Sequence, residues 1–293
     1  MAEFVHQTVL LAETVQLLQP KAGKLIIDGT LGGGGHAEAL LEAGATVLGI
    51  DRDPRALEAA GARLARFGDR FTARQGDYAS FEGPCDGVLL DLGVSSPQLD
   101  DPSRGFSFQA DGPLDMRMGG EGQTAAELID ALDENELADV IYQYGEERFS
   151  RRIAAQLKAL KPQTTFEAVE AVKRAVPRKA WGNIHVATRT FQALRIAVNH
   201  ELDQLTAALD KLPTALNVGG VAAIISFHSL EDRLVKHAFR EKLEPITKKP
   251  ITASDEECAK NPRARSAKLR GARRPDPAEE QAWKRGPKRR RFE

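Results

Sequence analysis

Some features are scarce in this 293-residue chain. Its two cysteines, Cys85 and Cys258, lie far apart and form no Cys-x-x-Cys pair. That excludes a disulfide scaffold, argues against a zinc site and fits a reducing cytoplasm. There is no run of about 18 apolar residues, so no membrane span is expected. The N-terminal stretch carries Glu3 and Glu13 and lacks a basic leader, so it does not read as a secretory signal. No internal repeat is visible. What is present is 42% apolar residues over a length that suits one large domain or two modest ones. Such a chain can bury a sizeable core and is neither collagenous nor wholly disordered.

The net charge of −1 hides an asymmetry. Residues 260–293 hold 13 Lys/Arg against Asp276, Glu279, Glu280 and Glu293, a balance of +9 that leaves −10 for the body. A basic tail on an acidic body suggests a polyanion partner, because each neutralised phosphate releases counterions. A solvated tail without a partner is the plainer alternative.

Strands and helices alternate through the first hundred residues. Lys24–Asp28, Thr46–Asp51, Phe71–Asp77 and Gly87–Asp91 read as strands, and Ala37–Ala43 and Pro54–Phe67 as helices. This spacing predicts a parallel, doubly wound α/β sheet. The next strand, Val221–Phe227, comes 130 residues after Asp91, where one crossover needs only a few dozen. Something is inserted between them. Helical periodicity over Ala125–Tyr142, Glu146–Leu160 and Phe166–Val176 makes residues 106–194 a helical insert. Thr190–Leu212 reads as the helix returning to the sheet. The sheet domain then comprises 1–105 and 195–245. No regular structure is assigned to the basic tail, 246–293.

Ligands of an open α/β sheet bind beyond the carboxyl ends of its strands. Asp28, Asp51, Asp77 and Asp91 all sit there. Between the first two lies Gly29-Thr30-Leu31-Gly32-Gly33-Gly34-Gly35-His36, whose glycines allow tight turning and close approach to a ligand. Gly32, Gly34 and Ala37 match the dinucleotide pattern, with Asp51 where a ribose-binding acid would stand. Charge favours another ligand. A pyrophosphate suits a helix N-terminus but is repelled by clustered carboxylates. S-adenosylmethionine carries no phosphate and has a sulfonium cation. One carboxylate would sit near its amino group or sulfonium, Asp51 on the ribose and Asp77 near the adenine edge. A dinucleotide remains the alternative.

After the fourth strand the chain reads Asp91-Leu92-Gly93-Val94-Ser95-Ser96-Pro97-Gln98. Amino-directed methyltransferases of nucleobases carry a short polar-Pro motif at this place. A base amino group is a poor nucleophile, because its lone pair spreads into the ring. Acceptors for its N–H groups favour the reactive form. Asp91, Ser95, Ser96 and the carbonyl before Pro97 are such acceptors, against the alternative of an ordinary Ser-Pro turn.

Here the blocks become specific. His6–Leu11, Asp28–Gly32 with Gly34–His36, Asp51–Pro54, Asp86–Asp101, Arg104–Phe108 and Asp111–Met118 are followed by Tyr144–Arg148, Ala187–Asn199, Ser226–Arg233 and Asn261–Ser266. Together they make the chain resemble the ribosomal RNA small subunit methyltransferase H family over nearly its whole length. The resemblance implies a class I (Rossmann-like) methyltransferase sheet with an inserted helical domain. It implies methylation, with S-adenosylmethionine, of the 4-amino nitrogen of a cytidine in the decoding region of bacterial 16S rRNA, within the small ribosomal subunit. It places Gly34, Gly35, His36, Asp51, Tyr78, Asp91 and Gln98 on cofactor-binding positions. Tyr78 stands where the family usually has Phe, and either ring can stack on adenine. Gly33 replaces a commonly charged residue, Val186 stands in place of a usual Pro, and Ala272–Glu293 is longer and more basic than usual. The rival classes are a nucleotide-dependent oxidoreductase and a non-catalytic ribosome-assembly factor that keeps the fold.

Other residues have two readings each. His36 orients the glycine loop or is catalytic. His228 supports the fold or reaches substrate. Asp115 and Arg117 lie in a loop that could grip RNA. Arg189 and Arg195 pair either with phosphate or with acids such as Glu201. Cys85 reads as inert core.

Overall fold

The computed structural model describes residues 8–278. The chain divides into two compact units, one formed by residues up to Gly93 together with those from Gln204 onward, the other by Val94–Asp203.

The first unit holds seven strands: β1 (Leu25–Asp28), β2 (Thr46–Asp51), β3 (Phe71–Gln75), β4 (Cys85–Asp91), β5 (Leu216–Ser226), β6 (Glu244–Pro245) and β7 (Lys268–Arg273). Their order is β3-β2-β1-β4-β5-β7-β6. The first five are parallel, and β7 runs antiparallel to both β5 and β6. This is the doubly wound α/β class expected. Ile26, Ile27, Val88, Leu89, Leu90, Ile224 and Ile225 are fully buried. That is why these strands read as near-continuous apolar runs, since helices cover both faces of a parallel sheet. The helix Pro54–Leu64 starts where Asp53 accepts the Arg55 backbone N–H at 3.0 Å, with Pro54 in the first turn. Strand order reverses between β1 and β4, and that switch point is where such sheets bind ligands.

The structure corrects the reading of the tail. Residues 246–278 are part of the first unit: a helix forms over Asp255–Lys260 and β7 extends the sheet. The charges of β7 made it look like solvated tail, but they are paired. Arg270, 8% exposed, donates to Asp232 at 2.7 and 3.2 Å, and Arg273 donates to Glu244. The most basic stretch, Lys284–Arg291, lies outside the described residues, as do His6 and Gln7.

The second unit begins at Val94 and ends at Asp203, wider than the 106–194 insert expected. Its helices Ala125–Ala131, Glu134–Gly145, Ser150–Leu160, Thr165–Ala175 and Thr188–Asn199 bury Leu137, Ile141, Ile153, Leu157, Val172 and Leu194 in one core. Two helices expected to be continuous are broken. Asp133 caps a new start by accepting the Glu136 N–H at 2.8 Å, while Glu136 accepts from Asp133 N. Thr190–Leu212 is interrupted at His200, which is left-handed (φ 52) between Asn199 and the helix Glu201–Ala215. Among the described residues no helix is long and apolar enough to cross a membrane.

Candidate functional site

The first unit builds a cradle at its switch point. The Gly29 N–H donates to Leu89 O, Leu31 N to Ile50 O, and Asp91 N to Thr30 Oγ1 at 2.6 Å. The glycine turn is thus tied to β4 on one side and β2 on the other. Two glycines are required by geometry. Gly34 is left-handed (φ +79), and a Cβ on Gly35 would stand 2.0 Å from Thr8 Oγ1. Gly33 has nothing within 4 Å of where its Cβ would be, so this part of the turn faces open space.

Three carboxylates ring the turn. Asp51 accepts the Gly32 N–H at 2.8 Å on one oxygen and the Asp53 N–H at 2.9 Å on the other. Each oxygen keeps a lone pair for a hydroxyl. Burial raises the Asp51 carboxyl above its ordinary value despite those bonds. Asp28 ends β1 and is 1% exposed; one oxygen takes the Thr30 N–H at 3.2 Å. Burial pushes its carboxyl up to about 7 against that bond, and the Asp51 charge adds to the rise. Asp91 ends β4, across the switch point from Asp28. Burial pushes it to about 7 as well, reinforced by Asp28 and opposed by Arg263. Its side chain is 26% exposed overall. Even so, Asp91 Oδ1, like Asp28 Oδ2, is sealed from water with no hydrogen-bond partner. Asp28, 1% exposed, is the more deeply buried of the two.

His36 bridges the cradle. Its Nε2 lies 3.1 Å from Val9 O, and a carbonyl can only accept, so Nε2 carries the proton. Nδ1 faces Asp91 Oδ2 at 3.8 Å. Both ring nitrogens thus face groups of the cradle. Tyr78 opens a 3₁₀ turn over Tyr78–Ser80 after β3; its Cβ lies 3.2 Å from where a Cβ on Gly29 would stand. Asp77 pairs with Arg52 Nε at 2.7 Å and is 45% exposed. His228 caps the helix Ser229–Lys242 and lies 3.2 Å from Glu231, so it supports that helix start. Cys85 is buried, with its thiol raised to about 12 by burial and by Asp86.

The structure therefore brings Gly34, Gly35, His36, Asp51, Tyr78 and Asp91 to one end of the sheet in the first unit. Gln98 and Ser95–Pro97 belong to the second. There Gln98, 7% exposed, accepts the Ser95 N–H at 3.0 Å and closes a capping box around the short helix Ser96–Asp100. Also in the second unit, Arg117 grips Asp115 at 2.9 and 2.7 Å and Arg195 grips Glu201 at 2.8 and 2.9 Å. Among the described residues no group of three or more His, Cys, Asp or Glu could hold a metal. Thr30 and Arg263 had no role in the expected site, and Asp28 had a place among its acids but no assigned contact. Asp28 was signalled as the acid closing the first strand. Arg263 sits in Asn261–Ser266, a segment that reads as tail until β7 brings it back.

Sealed carboxylate oxygens without partners call for a cation. S-adenosylmethionine fits this requirement: its sulfonium and ammonium supply positive charge, its ribose offers hydroxyls to Asp51, and it brings no phosphate against the acids. A pyrophosphate would meet three carboxylates. Fold and cradle define an S-adenosylmethionine-dependent methyltransferase.

Comparison with known proteins agrees. The model of the MraW methylase family matches residues 3–275, and the chain belongs to that family. It is 57% identical to the ribosomal RNA small subunit methyltransferase H of Myxococcus xanthus, over 92% of this chain and 97% of that one. It is 54% identical to the protein of the same name from Sorangium cellulosum (94% and 92% covered) and 51% identical to that of Synechococcus elongatus (93% and 96%). The oxidoreductase and assembly-factor alternatives fall with this membership.

Proposed function

We propose that this enzyme methylates the 4-amino nitrogen of a cytidine in the decoding region of bacterial 16S rRNA, in the cytoplasm and on the small ribosomal subunit. The observation that carries the donor half of this reading is the Asp28–Asp91 pair, two carboxyls raised to about 7 with sealed, partnerless oxygens. The acceptor half rests on the names of the relatives, which specify small-subunit rRNA, and on the chain that leads out of β4. When bound, S-adenosylmethionine supplies a methyl group made electrophilic by positive sulfur. The protein's part is to hold and orient. The glycine turn and Asp51 hold the cofactor, while Asp28 and Asp91 balance its charge. Asp91, the hydroxyls of Ser95 and Ser96 and the carbonyl preceding Pro97 accept N–H bonds from the target amino group, which favours its pyramidal form. Positioning, more than acid–base strength, then sets the rate. The cytidine must leave its stack to be reached, as in other base-modifying enzymes.

The test uses tritiated-methyl S-adenosylmethionine and small subunits from cells lacking this protein. Label in N(4)-methylcytidine after digestion is the expected result. Label in another nucleoside, or none with cofactor binding confirmed, overturns the acceptor assignment. Asp91→Ala should lower turnover at least a hundredfold; full turnover with unchanged cofactor affinity would remove Asp91 from the mechanism.

A further inference from the structure

The second unit contains a cavity of about 320 Å³ that the donor site does not use. Its walls include Arg148, Phe149, Trp181, Ile184, His185 and Arg189. The composition is unusual for an exposed hollow. Trp181 is 40% and Ile184 57% exposed, yet they share this lining with two arginines. The Trp181 indole is fixed, because its Nε1–H donates to Val176 O at 3.2 Å. With that donor used internally, what remains to offer is the ring face. His185 is stacked on Phe108 at 4.6 Å between centroids, and Phe108 meets Phe191 edge-on at 4.9 Å. The Nδ1 of His185 accepts the Ala187 N–H at 3.3 Å. Burial and Lys173 hold the imidazole below its usual range, so at neutral pH it is a flat, uncharged ring. The cations stand at the edge. Arg189 is about half exposed, its Nη1 4.0 Å from Glu147. Arg148 lies over the Phe149 ring at 4.7 Å. Arg178 and Lys179 form the exposed turn just before Trp181.

Fixed aromatic faces inside a cationic rim are what a single-stranded nucleic acid recognises. Bases stack without regard to sequence, and phosphates meet the guanidinium groups. The core of a protein interface would instead be depleted of charge. The volume admits one base. We propose that this cavity binds one unstacked nucleotide of the RNA substrate, with its base against Trp181 and its phosphate against Arg148 and Arg189. It is a second grip on the strand, separate from the reacting cytidine. The proposal rests on the reading that the enzyme acts on RNA. It adds a substrate subsite that sets affinity and not chemistry.

The chain has two tryptophans, Trp181 and Trp283, so W283F leaves Trp181 as the sole indole. Full-length W283F is titrated with a short single-stranded oligoribonucleotide, and fluorescence is read. The expected result is quenching of Trp181, with binding about tenfold weaker in Trp181→Ala and nearly unchanged in Trp181→Phe. Arg189→Ala should lower the salt slope of log K by about one. In methylation of small-subunit rRNA, Trp181→Ala should raise KM for RNA and leave kcat and S-adenosylmethionine affinity unchanged. No quenching, with equal binding by Trp181→Ala, overturns the proposal even if the enzyme methylates rRNA normally. So does a concentration-dependent dimer that Trp181→Ala abolishes, which would make the cavity a contact between copies. If the wild type methylates no RNA, the functional reading fails, while the quenching titration still decides the cavity. Should Trp181→Ala not fold, Arg189→Ala and the W283F titration decide it.

Discussion

Two carboxylates of the first unit stand apart from those of the second. In the second unit, acids are satisfied from within. Thr124 with Glu127, Asp133 with Glu136 and Thr164 with Glu167 close capping boxes. Arg117 holds Asp115 and Arg195 holds Glu201 through paired bonds. Burial of Asp115 acts against it, but the bonds from Arg117 bring its carboxyl below the ordinary range. In the first unit, Asp28 and Asp91 are pushed to about 7, each with an oxygen that meets nothing. Satisfied acids are architecture, and acids held at a loss mark a site that a cation completes. In the Asp115–Arg117 loop, a candidate for gripping RNA, the two charges pair with each other.

Four changes break or sharpen this contrast. The largest effect falls on the second unit. Arg195→Ala strands Glu201, which is 5% exposed, and should cost about 3 kcal/mol in thermal or denaturant unfolding. A cost below about 0.5 kcal/mol would make the pair ornamental. Next is pH. A carboxyl raised in the folded state binds a proton there that the unfolded chain releases at lower pH. The stability that Asp28 contributes below pH 3.8 is therefore lost as pH rises from there to about 7. Calorimetry of the ligand-free enzyme should show that decline, and Asp28→Asn should flatten it. Third, truncation after residue 278 removes six Lys/Arg between Lys284 and Arg291 while leaving β7 whole. It should lower rRNA affinity several-fold and reduce its salt dependence; an unchanged slope would detach the tail from binding. The smallest effect is chemical. Cys258 is partly exposed and should react with a thiol reagent in the native state, while buried Cys85 should not.

Much of this was legible because the physics is local. Four strand-closing acids, a glycine run and β-branched runs announce a parallel sheet and its ligand end without any long-range contact. The breaks at Asp133 and His200 were harder, because each hides inside continuous helical periodicity and is set by a cap or one left-handed residue. The strand β7 was not legible at all. Lys268, Arg270 and Arg273 look solvated until Asp232 and Glu244, far away in sequence, come to meet them. The same blindness hid Arg263 beside Asp91. At the site, residue types were readable, but which acid would be sealed and which satisfied was not. Asp77 and Asp28 look alike in the sequence; Arg52 reaches only the first.

The central claim is that burial raises the Asp28 and Asp91 carboxyls and that binding of the cationic cofactor displaces a proton from them. Titration calorimetry of S-adenosylmethionine binding at pH 6.5, in buffers of different ionisation enthalpy, counts that proton directly. The account predicts release of a sizeable fraction of one proton per site, with affinity rising up to tenfold per pH unit below pH 7 and both effects lost in Asp28→Asn. Binding that is proton-neutral and pH-independent in the wild type would contradict it.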